Sequence, residues 1–179
     1  MYLFGRTSND EKGIFKVVSA KNLILPATEL TDYCYLGMFR GCSTLIEAPS
    51  LPATELALEC YKFMFEGCTS LTTAPVLPAT NLANSCYSYM FNGCTSLTTA
   101  PVLPAISLVS NCYSYMFNGC IKLNYIKALF TTTPGTNYTD NWVQNVSSNG
   151  IFVKNVEATW DVTGVNGIPS NWTVELASE

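Results

Sequence analysis

The chain has 179 residues, of which 48% are hydrophobic and only 12% are charged, and its net charge is −4. A chain of this length and composition can bury a core and usually forms one domain. The nine lysines and arginines are scattered, which excludes the basic surface of a typical nucleic-acid-binding protein. The sequence has no histidine, so the commonest general base and metal ligand is missing and an enzyme is disfavoured.

Residues 1–16 precede a repeated region and match none of its units. Two short apolar patches, residues 2–4 and 14–15, flank a polar turn. The end of a repetitive structure exposes apolar side chains and backbone groups that a terminal segment has to cover. We therefore expect residues 1–16 to form part of an N-terminal cap. Residues 1–6 are too short and not apolar enough for an export signal, and no apolar run in the chain is long enough to span a membrane.

Residues 17–130 repeat with a period of 26 residues. Two series of cysteines keep this period, as do one series each of methionine, phenylalanine, glycine, leucine and proline. Examples are Met38, Met64, Met90 and Met116, and likewise Phe39, Phe65, Phe91 and Phe117, and Gly41, Gly67, Gly93 and Gly119. A period of about 20–30 residues is typical of a leucine-rich-repeat-like solenoid, in which each coil buries its apolar side against its neighbours.

Within one coil the pattern predicts a helix, a turn and a strand. Residues 56–66 place apolar side chains at intervals of four, which is typical of a helix with one apolar face. Gly67 fits the left-handed position that ends such a helix. Residues 70–77 are rich in threonine and indicate a short strand, limited by Pro75. The sequence therefore predicts an α/β fold: a right-handed leucine-rich-repeat solenoid of helix-turn-strand coils.

The side-chain period stops after Phe130, and residues 131–179 predict a small α+β C-terminal cap. A short helix is expected at residues 139–146. Strands are expected at residues 150–155 and 172–176. All three tryptophans lie in this segment. Such bulky apolar side chains suit a lid over the last coil.

The recurring motif Met-Phe-x-Gly-Cys-x-x-Leu-x-x-Ala-Pro-x-Leu-Pro-Ala, found at residues 64–79 and 90–105, resembles the BspA-type leucine-rich repeats of bacterial surface proteins. Residues 141–174 are similar to the closing segment of such proteins from Bacteroides-like bacteria. The resemblance implies an extracellular or cell-surface protein whose repeats mediate adhesion or host contact. Because members often carry an export signal and further N-terminal domains, we expect this chain to be a trimmed form of a longer precursor.

The eight cysteines allow three interpretations. They form two series: Cys42, Cys68, Cys94 and Cys120, and Cys34, Cys60, Cys86 and Cys112. Zinc-binding cysteine pairs usually lie about two to four residues apart, closer than Cys60 and Cys68. A disulfide between Cys60 and Cys68 would need a chain reversal at Gly67, because a continuous helix holds them about 12 Å apart. Bridges between coils would break the repeated environment. We favour a structural ladder of small, buried, free cysteines.

The candidate ligand-binding residues form two sets. On the expected helix side they are Phe63, Tyr89 and Tyr115, and on the expected strand side they are Glu47, Thr73, Thr99 and Tyr125. Partly exposed aromatic rings stacked coil on coil could grip a sugar or a protein. The alternative is that these rings pack on the neighbouring helix. The threonines could likewise be a binding lattice, or polar residues that simply suit a strand.

The sequence offers little for catalysis. Glu55 and Glu59 lie one helical turn apart, but the next coil replaces them with Asn81 and Ser85. No C-x-x-C pair and no phosphate-binding glycine loop occurs. We expect a noncatalytic cell-surface recognition module that binds a host or bacterial surface protein or glycan, with no cofactor, metal or nucleic acid. The alternatives are an architectural spacer within a longer surface protein and a fragment of a carbohydrate-active or redox enzyme.

Overall fold

A computed structural model describes residues 16–178, so the expected N-terminal cap lies almost entirely outside the described residues. The strands are β1 (Tyr125–Ala128), β2 (Ile151–Lys154) and β3 (Thr173–Leu176). They form one parallel sheet in the order β1-β2-β3, with Tyr125 opposite Ile151 and Ile151 opposite Thr173. The strands predicted at residues 150–155 and 172–176 are therefore confirmed.

Successive coils lie side by side, with matching residues facing each other. Single parallel bridges join Ser19 to Glu47 and Glu47 to Thr73, and a second row joins Glu29, Glu55 and Asn81. The strand predicted at residues 70–77 is thus reduced to one bridging residue. Proline follows closely at Pro75 and again at Pro78, and each proline lacks the N–H that would extend the ladder.

The other half of each coil is a series of overlapping turns. The N–H groups of Tyr61, Phe63 and Phe65 donate to the carbonyls of Cys86, Ser88 and Met90 in the next coil, at 3.0, 3.1 and 2.9 Å. The alternate N–H groups, of Lys62 and Met64, donate within the coil to the carbonyls of Glu59 and Tyr61. The backbone passes through the left-handed region at every fourth residue: φ is 52° at Glu59, 60° at Phe63 and 72° at Gly67.

The predicted α/β, right-handed leucine-rich-repeat solenoid of helix-turn-strand coils is wrong, because residues 16–178 contain no helix and only three short strands. In a helix every N–H bonds to the carbonyl four residues earlier, whereas here half of them reach the neighbouring coil. The turns repeat every four residues and bury side chains in pairs, Cys60 with Tyr61 and Met64 with Phe65. This spacing imitates the apolar face of a helix. The helix expected at residues 139–146 is absent for the same reason.

Columns of identical side chains form the core. One column stacks Tyr35, Tyr61, Tyr87 and Tyr113 with ring centroids 5.7, 5.9 and 6.0 Å apart. A second stacks Phe39, Phe65, Phe91 and Phe117 with centroids 5.5, 5.6 and 5.8 Å apart. The methionines and leucines of the central coils are fully buried beside them. The stacked apolar area is the main stabilising term of the fold.

The backbone pattern continues beyond Phe130, although the side-chain motif does not. The N–H groups of Phe117 and Gly119 donate to the carbonyls of Trp142 and Gln144, both at 2.8 Å. Asn141 and Asn145 adopt φ values of 48° and 60°. Asparagine tolerates the left-handed conformation better than most residues, so it can occupy these positions. Residues 131–178 therefore begin with a further coil of the same geometry.

The three tryptophans close the stack. Trp142, Trp160 and Trp172 are only 0%, 5% and 7% exposed. Their indole N–H groups donate to the carbonyls of Gly167, Phe130 and Ser147, at 2.8, 3.2 and 2.8 Å. Val143 is buried beside Trp142 in the chain. Nothing in residues 16–178 forms a helix suited to crossing a membrane.

Candidate functional site

Phe63, Tyr89 and Tyr115 form one continuous half-buried column, called here the aromatic strip. Each residue has a left-handed backbone, with φ of 60°, 57° and 57°. The equivalent residue is Gly37 in the first described coil and Asn141 in the last, both with positive φ. Glycine and asparagine are the residues that this conformation favours, whereas it costs other residues roughly 1–2 kcal/mol. The three aromatic residues are therefore not what the backbone alone would select.

The rings of the aromatic strip stack on one another. The centroids of Phe63 and Tyr89 lie 4.9 Å apart with planes tilted by 36°, and those of Tyr89 and Tyr115 lie 4.5 Å apart with planes inclined by 4°. The guanidinium of Arg40 lies 4.7 Å from the centroid of Phe63. At the other end the Asn141 side-chain amide donates to the hydroxyl of Tyr115 at 3.1 Å. Because ring faces mainly meet each other, the strip presents edges and hydroxyls to solvent.

A column of polar side chains runs beside the strip, one from each coil: Arg40, Glu66, Asn92, Asn118 and Gln144, called here the polar border. Arg40 and Glu66 form an ion pair. Asn118 donates from its side-chain amide to the side-chain oxygen of Gln144 at 2.8 Å. Burial raises the pKa of Glu66, while Arg40 acts in the opposite direction. The border supplies both donors and acceptors along the length of the strip.

The hydroxyl of Tyr89 is a neutral hydrogen-bonding group. Burial raises its pKa, and the nearby Tyr115, Asp140 and Glu66 raise it further. A phenol with a raised pKa stays protonated at physiological pH and can both donate and accept a hydrogen bond. The strip therefore combines large apolar rings with polar tips, as residues at protein interfaces often do.

The strand-side set forms a separate column. Glu47, Thr73 and Thr99 are exposed, Tyr125 is half-buried, and bridges align Glu47 with Thr73 and Thr99 with Tyr125. Glu47 is already engaged, since it accepts a hydrogen bond from Ser19 at 2.8 Å and pairs with Lys21 at 3.7 Å. A shallow groove of about 410 Å³ runs past it, lined by Lys21, Ile46, Glu47, Ala48, Thr72, Thr73, Ala74 and Pro75. This set lies in the other half of the coil from the aromatic strip.

None of the eight cysteines forms a disulfide, so neither the alternative bridge between Cys60 and Cys68 nor a bridge between coils is present. The thiols of Cys68, Cys94 and Cys120 each donate to a phenylalanine carbonyl at 3.1 Å. The series that begins at Cys42 and the series that begins at Cys34 each occupy one repeated position of the coil. All of these cysteines except Cys34 are buried.

Burial raises the pKa of every one of these thiols, to about 11 for Cys42 and Cys112 and to about 12 for Cys60 and Cys120. Such thiols stay protonated and are poor nucleophiles and metal ligands. Residues 16–178 contain no cluster of three or more side chains suited to hold a metal ion.

The polar border is what the sequence reasoning missed. Taken alone, Glu66 has the pattern of a solvated surface charge, because later coils have asparagine at its position. A signal was nevertheless present: Arg40, of opposite charge, occupies the same position one coil earlier. Comparisons with protein-family models, with curated proteins and with solved structures find no match for this chain, so the strip and its border are the basis for a functional proposal.

Proposed function

We propose that this chain is a noncatalytic recognition module that binds a protein partner through the aromatic strip and its polar border. The observation that carries the proposal is the presence of Phe63, Tyr89 and Tyr115 at left-handed backbone positions. Conformational preference favours the Gly37 and Asn141 found at the equivalent positions in the flanking coils. Residues kept against a local preference often serve binding or catalysis.

The ring geometry favours a protein over a glycan. Sugar-binding platforms offer an open ring face to the apolar side of the sugar, whereas the two faces of Tyr89 meet Phe63 and Tyr115. The outer face of Phe63 is approached by Arg40. Exposed ring edges with hydroxyl tips, bordered by amides and an ion pair, match the composition of protein–protein contact surfaces.

A cell-surface location accompanies this proposal and is supported by the resemblance of the Met-Phe-x-Gly-Cys repeats to BspA-type surface proteins. A host or bacterial surface protein is then the partner class. The strip spans three coils, and the polar border extends one coil further at each end. Such a surface is elongated and suits an extended or flat partner segment.

The test compares two double variants on opposite halves of the coil. Purified chain is passed over an array of extracellular-matrix and bacterial surface proteins, with a glycan array in parallel. For any protein that binds, Tyr89→Ala/Tyr115→Ala should weaken the affinity by at least about tenfold, because buried aromatic anchors at interfaces each contribute about 1–2 kcal/mol or more. Thr73→Ala/Thr99→Ala is the matched control and should leave the affinity unchanged.

The milder variant Tyr89→Phe/Tyr115→Phe keeps the ring stack and removes only the hydroxyls. It should retain the melting temperature and lose part of the affinity. Binding that responds to the threonine variant and not to the tyrosine variants would contradict the proposal. Binding to glycans alone would contradict the choice of partner.

An architectural spacer is the second candidate function, and one observation favours it. The 4.5 Å stacking of Tyr89 on Tyr115 contributes to cohesion between coils whether or not a partner exists. In that case Tyr89→Ala/Tyr115→Ala would lower the melting temperature strongly, and no protein on the array would bind.

A further inference from the structure

Four asparagines in the chain are followed directly by glycine: Asn92, Asn118, Asn149 and Asn166. In an Asn-Gly pair the backbone nitrogen of glycine can attack the side-chain carbonyl carbon of asparagine. The reaction needs that nitrogen to be free of other hydrogen bonds and the asparagine side chain to have room to turn towards it. Glycine favours it because it has no side chain to obstruct the attack. In the structure the four pairs differ in the hydrogen bonding of the glycine N–H and in the exposure of the asparagine.

Three of the pairs are protected by hydrogen bonds. The N–H groups of Gly93 and Gly119 donate to carbonyls of the next coil, each at 2.8 Å. The N–H of Gly167 donates to the carbonyl of Gly164 at 3.1 Å. Asn92, Asn118 and Asn166 are half-buried. A bonded N–H reacts only after local opening, which lowers the rate at these sites.

Asn149 and Gly150 lack this protection. Asn149 is exposed and lies in a bend between the last repeated turn and β2. Among the described residues the Gly150 N–H has no acceptor, although the Ile151 N–H beside it donates to Asn124. The hydroxyl of Ser147 donates to the side-chain oxygen of Asn149 at 3.5 Å.

We propose that Asn149–Gly150 is a site of spontaneous deamidation. The Gly150 nitrogen loses its proton to hydroxide and bonds to the Asn149 side-chain carbon. The C–N bond of the side-chain amide then breaks, and its nitrogen takes a proton from water and leaves as ammonia, which regenerates hydroxide. Water then opens the cyclic imide at either carbonyl. The products are aspartate in the normal chain or isoaspartate, in which the backbone runs through the side-chain carbon. No oxidant, cofactor or enzyme is needed.

Packing requires glycine at this position. A Cβ on Gly150 would lie 2.4 Å from the carbonyl oxygen of Asn124 and 2.8 Å from the ring of Trp172. No side chain fits there without moving backbone. The isoaspartate product lengthens the backbone directly before β2, which is the central strand of the sheet. We expect deamidation to loosen the C-terminal end of the molecule rather than its repeated coils.

The experiment incubates the intact chain in mildly alkaline buffer at physiological temperature and follows all four sites by peptide mapping and mass spectrometry. Deamidation at Asn149 should exceed that at Asn92, Asn118 and Asn166 by at least about tenfold, because those sites must open first. In concentrated guanidinium the four rates should become similar, which shows that the fold selects the site. Raising the pH should raise the rate at Asn149, since the glycine nitrogen must lose a proton.

Asn149→Gln is the control variant, because a longer side chain closes the ring poorly while remaining polar and exposed. It should fold like the wild type and show no modification at residue 149. Equal rates at the four sites in the folded chain, or faster reaction at a hydrogen-bonded site, would overturn the proposal. An unmodified Asn149 under conditions that deamidate the denatured chain would overturn it equally.

Discussion

The repeated coils (residues 17–130) and the start of the closing segment (residues 131–178) share one backbone pattern but carry different side chains. In the repeated coils alternate N–H groups reach the next coil and left-handed residues recur every four positions. In the closing segment the carbonyls of Trp142 and Gln144 accept bonds of this kind from the last repeated coil, and the left-handed Asn141 and Asn145 lie four positions apart. The repeated coils fill their core with identical columns, whereas the closing segment uses three tryptophans. The backbone ladder therefore does not depend on the repeated motif. It needs residues that tolerate positive φ and bulk that covers the last core layer.

The largest expected effect is at the junction of the two regions. Trp142 occupies the position that Met116 holds one coil earlier, is fully buried, and has ring contacts with Tyr113, Phe117, Phe130 and Phe152. Trp142→Ala should lower the free energy of unfolding by about 3–5 kcal/mol, through lost burial and the cavity left behind. Equilibrium unfolding in urea measures the change.

Trp142→Phe serves as the control, because it keeps an aromatic ring and removes the indole N–H bonded to Gly167. Its loss of stability should be smaller than that of the alanine variant. A cost below about 1 kcal/mol for Trp142→Ala would mean that the closing segment does not seal the core, since cavities in a sealed core cost more.

The second prediction concerns the stability of the chain at alkaline pH, where cysteine thiols ionise. All eight cysteines lie in the repeated coils and none lies in the closing segment, so only the repeated coils contribute to this effect. Burial raises the thiol pKa values in the folded state, to about 11 for Cys42 and to about 12 for Cys60, with that of Cys94 also raised. The folded chain therefore binds more protons than the unfolded chain above the ordinary thiol pKa. The stabilisation is complete below that ordinary value and is lost as the pH rises towards the folded-state value.

In this pH range each buried thiol should lower the free energy of unfolding by about 1.4 kcal/mol per pH unit. Cys94→Ala should make the decline in unfolding free energy less steep by one such increment. The matched variant Val143→Ala, in the closing segment, should lower the stability at every pH and leave the steepness unchanged. Urea unfolding under reducing conditions at a series of alkaline pH values tests both, and an identical slope for Cys94→Ala and the wild type would refute the assignment.

The stacking of coils could be predicted from sequence, and the local conformation could not. A fixed interval places Phe39 against Phe65 whatever the backbone does between them. The spacing of Cys60, Met64 and Cys68, however, fits a helix and a chain of four-residue turns equally well. What separates the two is whether an N–H bonds within its own coil or to the next, and that is decided by tertiary contacts. Gly37 lies in the first coil, inside the segment that corresponds to the predicted helix. Within that segment it was the one local indication of a positive φ.

The exposure of the candidate site could be predicted from sequence, and the stacking of its rings could not. Phe63, Tyr89 and Tyr115 were expected to be partly exposed at the flank of a helix, and they are partly exposed on turns. The coverage of their faces by one another follows from the spacing between coils, which sequence alone does not set. The ion pair of Arg40 with Glu66 arises between coils, so it is visible only when residues one period apart are read together.

The smallest expected effect compares the polar tips of buried aromatic residues. In the closing segment each indole N–H has an acceptor, whereas the buried hydroxyls of Tyr87 and Tyr113 have none among residues 16–178. Tyr87→Phe should leave the free energy of unfolding unchanged or raise it by up to about 1 kcal/mol, because an unsatisfied buried hydroxyl is destabilising. Trp160→Phe should lower it, because the carbonyl of Phe130 loses its donor. Urea unfolding of the two variants side by side measures this contrast. A clear loss of stability in Tyr87→Phe would show that the hydroxyl has a partner, and the two regions would then satisfy their buried polar groups alike.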